Sequence, residues 1–346
     1  MADERKADYY VEAGQEVVVD LFRPEDAAGA TSCFRTVYGE GYPIKTYLDP
    51  EQLAKANADK SVISSVARTA GGQVVGHNAL FQSSPCPKVR ESGAGVVLST
   101  YRGGGLFEKM IEHGIKVAAP LNGIEMVYGE AVCNHPFSQK ATAACGAISM
   151  ALEVDLMPAA AYAKERSAPG RVAGLLDMIH ITSSPHAVYI PQAYAAELGY
   201  LYANTPDERQ KRPSKALPPA GSRSRIEAQV FPFAQVARLT AHEAGEDLAR
   251  EARRAEKEAA GQGCRVFQIW LKLASPWVGA SVDALRREGW FFGGLLPRWF
   301  DEDGLLMQKM YQRPDWEHMV LVFDRAKELG AMARKDWERS QNGGPP

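Results

Sequence analysis

At 346 residues, 45% of them hydrophobic, the chain is long enough to build two domains, each with a core of its own. Forty basic against 42 acidic residues leave a formal net charge of −2, which argues against nucleic acid or an anionic membrane surface as partner. The five cysteines are odd in number and form neither a C-x-x-C pair nor a zinc spacing, so no disulfide scaffold and no metal site are expected.

In chain order, the start MADERKADYY is charged, and no apolar run reaches the length of a membrane span; the expectation is a soluble, cytoplasmic protein. Val17, Val18, Val19 and Leu21 read as a strand, stopped by Pro24, and Asp26 is placed to cap an alanine-rich helix over residues 27–37. An aromatic tip follows, with Tyr38, Tyr42 and Tyr47; these rings either pack the loop down or line a pocket. Residues 63–68 and 73–81 alternate around Gly71-Gly72 and predict a β-hairpin. His77 inside it reads as a sheet histidine with its hydrogen bonds satisfied.

The most informative stretch is residues 93–120. Val96, Val97 and Leu98 predict a strand ending at Ser99 and Thr100; Tyr101, Arg102 and the glycines 103, 104 and 105 follow. Phe107, Met110, Ile111, Gly114, Val117 and Ala118 then recur at helical spacing as far as Pro120. Strand, glycine turn and helix start together place bare N–H groups at the positive end of a helix, where a phosphate can sit. The plain alternative is a surface turn. Leu106 and Phe107 after Gly105 exclude a Walker loop, and the glycines before the strand do not make a dinucleotide fingerprint.

The run Arg102-Gly103-Gly104-Gly105-Leu106-Phe107 resembles the acyl-CoA loop of the GNAT superfamily of N-acetyltransferases, Arg/Gln-x-x-Gly-x-Gly/Ala, with Phe107 in place of the last small residue. The resemblance extends over residues 16–182 and implies an α/β (α+β) GNAT fold, a mixed central sheet flanked by helices. It implies acetyl-CoA, or another acyl-CoA, held by Val97, Leu98, Ser99, Tyr101, Arg102, Gly103, Gly104, Gly105, Leu106 and Asn134. Tyr38 and Tyr42 would then line the acceptor pocket. A backbone N–H near Leu98 or Ser99, freed by a bulge, would meet the developing oxyanion.

Residues 124–133 predict the next strand. Glu130 on it is a carboxylate on an otherwise apolar strand, expensive unless paired or used; it is either a general base or a salt-bridged structural residue. The family's thiolate-protonating tyrosine falls on Thr142, so His135, Ser138 or a water would substitute, or the thiolate would leave unassisted. Cys133 beside His135 lacks an orienting third group for a covalent nucleophile. Strands over 148–156 and 171–181 would complete the first domain.

Beyond it are expected a helix over 187–202, a linker over 206–225, a long strand over 225–239, a charged helix over 241–260 and a last helix over 316–337. Residues 267–297 repeat the order of residues 126–158: apolar strand, proline, helix, glycine, strand. The division expected is thus residues 1–185 as an acyl-CoA-binding GNAT domain, 186–224 as connection, and 225–346 as a degenerate GNAT-like domain without an R-G-G-G loop. The function implied is an N-acyltransferase acting on a small-molecule primary amine; a non-catalytic acyl-CoA-binding protein is the rival. A homodimer is left open.

Overall fold

The computed structural model describes residues 9–162, 168–203 and 205–342. The fold is mixed α/β, a sheet of antiparallel and parallel strands flanked by helices, as the sequence predicts. The chain forms two compact units, Met1–Gly129 with Ala144–Gly146, and Glu130–Ala143 with Ala147–Pro346. This division falls inside a strand rather than near residue 185. No helix among the described residues is long and apolar enough to cross a membrane.

In the first unit, β1 (Val17–Leu21) leads to α1 (Ala27–Tyr38) and α2 (Pro50–Ala58). Then come β2 (Val62–Thr69), β3 (Val74–Phe81), β4 (Val89–Val97), α3 (Leu106–His113), α4 (Ala119–Leu121) and the start of β5 (Met126–Val132). Strands β1 to β4 are antiparallel neighbours in chain order, and β5 lies parallel to β4. Contrary to expectation, Asp26 does not cap α1 with its side chain; it is buried, accepts from the Arg23 amide at 2.6 Å and pairs with the nearly buried Arg68 of β2. That pair ties the end of β1 to the middle of the hairpin. Asp49 caps α2, accepting from the amides of Glu51 and Gln52 at 2.9 and 3.2 Å. Phe34, Tyr47, Leu53, Val66, Val75 and Val96 form the core between the helices and the sheet. The helix after the glycine loop does not stop at Ala118. It passes through a π turn, Gly114–Ala118, into α4, which carries Pro120 near its start; a proline there gives up an amide that a helix start leaves unpaired anyway.

The second unit holds the end of β5, α5 (Phe137–Ala144) up to Ala143, β6 (Ile148–Met157), β7 (Val172–His180), β8 (His186–Ile190), α6 (Ala195–Tyr202) and β9 (Arg209–Pro213). It continues with β10 (Arg225–Phe231), β11 (Val236–Glu243), α7 (Leu248–Gly261), β12 (Val266–Lys272), α8 (Val278–Arg287), β13 (Phe291–Leu296), β14 (Gly304–Met310) and α9 (Asp324–Gln341). Strands β6 and β7 pair with each other, and β6 meets β13 at Ala151 and Gly294, which is why both belong here. A β-carbon at Gly294 would run into the Ala151 backbone, so only glycine permits that approach.

Three expectations are corrected. Residues 187–202 are not one helix: Val188, Tyr189 and Ile190 favour a strand, Pro191 ends it, and only 195–202 are helical. The supposed linker contains β9, parallel to β8, and its Arg209 is buried against Asp303 at 2.7 Å. Residues 225–239 are not one strand but the hairpin β10–β11, because Pro232 cannot continue a ladder and Gln235 takes a left-handed turn conformation, φ 56°. The helices α7 and α9 accordingly begin later than expected, at Leu248 and Asp324. Trp270, Trp290 and Trp299 are buried, with Trp270 edge-on to Trp299 at 5.0 Å. Hairpin β10–β11, helix α7, parallel strand β12, helix α8 and hairpin β13–β14 repeat the sequence of elements from β3 to β7.

Candidate functional site

The glycine loop stands open in the first unit. Ser99–Tyr101 make a tight turn, with the Tyr101 amide donating to Leu98 at 2.9 Å and the Arg102 amide to Ser99 at 3.3 Å. Gly103 and Gly105 take φ of 83° and 69°, the left-handed region that glycine enters without a steric penalty. Among the described residues, no acceptor is found for the amides of Gly103, Gly104 and Gly105, and a β-carbon at Gly103 or Gly104 would meet nothing within 4 Å. Behind them come the first amides of α3, which the helix cannot satisfy internally. Arg102 is exposed; its Nε donates to the Val97 carbonyl at 3.0 Å, which leaves the rest of the fork facing solvent. Residues before β1 brace the loop from behind: the Tyr101 hydroxyl donates to the Glu12 carbonyl, and the Thr100 hydroxyl to that of Val11.

Next to the loop, β4 is free of β5 for most of its length. The parallel register runs from Val89 opposite Met126 to Glu91 opposite Tyr128, and no further pair is found among the described residues. On its other edge β4 bulges, two residues against one, at Ala94 (φ 49°) and Gly95. Side chains catch both bulge carbonyls: His77 Nδ1 lies 2.9 Å from that of Ala94, and the Tyr38 hydroxyl donates to that of Gly95 at 2.8 Å. His77 is buried, as the sequence predicts for a satisfied sheet histidine. Its other nitrogen meets Ser64 Oγ at 2.8 Å, and burial lowers its pKa to about 4. Of the two amides expected to meet the oxyanion, that of Leu98 donates to the Val75 carbonyl at 2.9 Å and is not free. The bulge lies three to four residues earlier. Phe107, where the family motif has a small residue, lays its ring on the backbone of Gly95.

Tyr38 and Tyr42 stack at 5.2 Å beside the pair formed by Phe34 and Tyr47 at 5.0 Å. Burial raises the phenol pKa of Tyr42 and Tyr47, and the nearby charge of Glu91 pushes the same way. Glu91 is the residue sequence reasoning missed. It accepts from Ser83 Oγ at 2.5 Å and from the Tyr128 hydroxyl at 3.2 Å, at the point where β4 and β5 part. The available signal was a carboxylate in the run Val89-Arg90-Glu91-Ser92-Gly93, just ahead of the glycines.

The remaining candidates lie in the second unit. Glu130 accepts from Arg238 at 3.1 Å, and the same guanidinium holds Glu153 at 3.0 Å; Glu130 sits in an ion pair. His135 is partly buried, its ring 5.3 Å from that of Phe137. The Ser138 hydroxyl donates to the Val132 carbonyl at 3.4 Å, and Asn134 lies between Cys133 and His135 in the loop before α5. Thr142, in place of the family tyrosine, donates to Asp177 at 2.6 Å. Burial pushes the Cys133 thiol far up, so it makes no thiolate nucleophile at neutral pH. Among the described residues, no cluster of side chains could hold a metal ion.

No protein-family model and no curated protein matches the chain. Solved structures do. An N-acetyltransferase from Staphylococcus aureus Mu50 is 14% identical, with a TM-score of 0.39 over 48% of this chain and 99% of that one. The yncA protein of Salmonella typhimurium, solved with its cofactor acetyl-CoA, is 13% identical, with a TM-score of 0.39 over 48% and 95%. The dodecameric spermidine N-acetyltransferase of Vibrio cholerae is 13% identical, with a TM-score of 0.38 over 48% and 94%. Over about half its length, the chain is similar to solved N-acetyltransferases.

Proposed function

We propose that the first unit binds acyl-CoA at the glycine loop and transfers the acyl group, acetyl in the simplest case, to a primary amine of a small molecule. The observation that carries this reading is the set of amides at Gly103, Gly104 and Gly105 at the start of α3, for which no acceptor is found among the described residues. Oriented N–H groups at a helix N-terminus, with an arginine beside them, suit a diphosphate. The free edge of β4 leaves room and unpaired backbone for a pantetheine arm.

In this reading the acceptor enters over Tyr38 and Tyr42, whose faces favour an ammonium group, and Glu91 takes its proton. The amine nitrogen attacks the thioester carbon. A β4 amide at the bulge meets the oxyanion, collapse breaks the C–S bond, and water protonates the departing thiolate. His135 and Ser138 remain secondary candidates for that last proton. The second half of the chain is the degenerate partner of a tandem arrangement, a reading supported by its repeat of the β3-to-β7 element order.

The test is release of free CoA from acetyl-CoA with a panel of primary amines, together with CoA binding by calorimetry. Arg102→Ala combined with Gly105→Val should weaken CoA binding at least tenfold with the fold retained by circular dichroism. Unchanged affinity removes the proposal. Tight binding without turnover on any amine favours the non-catalytic acyl-CoA-binding reading, for which the bulk of Phe107 against Gly95 is the supporting observation.

A further inference from the structure

A cleft of about 330 Å³ lies within the second unit, at the lower end of the range of small-molecule pockets, ~300–1,000 Å³. It opens where the parallel strands β11 and β12 end. Their register runs from Val236 opposite Val266 to Thr240 opposite Trp270, and both strands then run on for a few residues. Crevices outside the carboxyl ends of parallel strands are where α/β sheets bind ligands. The walls are mostly apolar, with Ala241, Ala244, Leu271, Trp277 and Val278 prominent.

A nucleotide-sized anion has no cradle here. The amide of Gly245 donates to Ser224 Oγ at 2.9 Å and that of Glu246 to the Ser222 carbonyl at 3.2 Å. A β-carbon at Gly245 would lie 2.5 Å from that same carbonyl oxygen, so the backbone of residues 222–224 fills the space before α7. Most charges on the rim are already matched. Arg223 pairs with Asp247 at 3.3 Å, His242 with Glu227 at 3.0 Å, and Glu243 with Arg225 at 3.5 Å. Lys272 is different: its ammonium lies 5.4 Å from the centre of the Phe300 ring, and no ion pair of it is found among the described residues. The Ser275 hydroxyl, also in the lining, is buried and without a hydrogen-bond partner.

We propose that this cleft is a second ligand site, for a small monocarboxylate with an apolar tail. The tail would lie against Trp277 and Leu271, and the carboxylate would meet Lys272 and the hydroxyl of Ser275. The site is independent of acyl-CoA binding at the glycine loop.

Calorimetric titration of the full chain with sodium octanoate, and with 1-octanol as the uncharged counterpart, tests this. Saturable binding of octanoate is expected. Lys272→Met should weaken octanoate at least tenfold and leave 1-octanol unchanged, and Ala274→Trp should abolish both by filling the cleft. Arg102→Ala and saturating CoA should leave the octanoate isotherm as it was. Absence of saturable octanoate binding, or wild-type affinity in Lys272→Met, overturns the proposal. Displacement of octanoate by CoA overturns it too, by assigning the heat to the glycine loop. If Ala274→Trp does not fold, the lysine variant decides alone.

Discussion

The ring of Phe107 rests on the backbone of Gly95, so closely that a β-carbon on the glycine would collide with it. The bulk of Phe107 is thus accommodated by a missing side chain on the neighbouring strand. The helix α3 is held against β4 at the bulge, the place where the strand's backbone is most distorted.

This contact makes a prediction about stability. Gly95→Ala should destabilise the first unit by about 1–3 kcal/mol, the usual cost of forcing bulk into a packed contact. Adding Phe107→Ala should recover part of that loss, because the two side chains then no longer compete for one space. Urea unfolding of the wild type, both single variants and the double variant measures the coupling. Additive losses would mean that the ring swings away freely.

Glu91 and Glu130 can be separated by kinetics. Glu91→Gln keeps an acceptor and a near-identical shape but takes up no proton at neutral pH. The rate of acyl transfer should fall by roughly 100-fold or more, in the range typical of a lost general base, with CoA affinity unchanged. Glu91→Gln at wild-type kcat would exclude the glutamate from the chemistry.

For Glu130→Gln the expectation is the reverse. Arg238 keeps Glu153, which contacts it through both carboxylate oxygens at 3.0 Å, so its charge stays compensated. The side chain of Glu130 is 23% exposed, and its loss should cost about 1 kcal/mol or less, with kcat close to wild type. Glu153 is buried, so Glu153→Gln should cost more than Glu130→Gln, although Arg238 then keeps Glu130 at 3.1 Å. Thermal melts rank the two.

Asp155 gives the second unit a pH dependence. It is buried, and desolvation raises its pKa to about 6, although the Asp315 amide donates to it at 3.2 Å. A raised folded pKa means that the native state holds the proton more tightly than the unfolded chain. This contribution is complete below about pH 4 and is lost as pH rises to about 6, and it amounts to about 2–3 kcal/mol. Asp155→Asn should remove it, and asparagine also tolerates the residue's φ of 52°. Unfolding free energies at pH 4.5 and 7.5 check this: the difference between the two should change by that amount in the variant.

The legible parts of the chain are those whose causes are local. Strand 96–98, the turn with its glycines, and the helix after Gly105 follow from φ preferences and apolar spacing within about twenty residues, and the hairpin β2–β3 follows from Gly72 at φ 82°. Pro232 is as local a signal, and it is what separates the hairpin β10–β11 from a single strand. Pairing is not local. The β8–β9 strands were invisible because neither has a partner in its own neighbourhood, and the partner is what makes residues 209–213 a strand at all.

The sequence by itself determined that a glycine turn opens a helix, and that the Glu130 carboxylate needed either a partner or a task. Only the tertiary structure supplied the partner, by bringing Arg238 to it across 108 positions of chain. It likewise placed Glu91 between Ser83 and Tyr128, and set Lys272 and Ser275 in the lining of one cleft. The physical reason is the same throughout. Backbone torsion preferences are written residue by residue, whereas a charge takes its role from what surrounds it, and those neighbours are chosen only when distant strands come together.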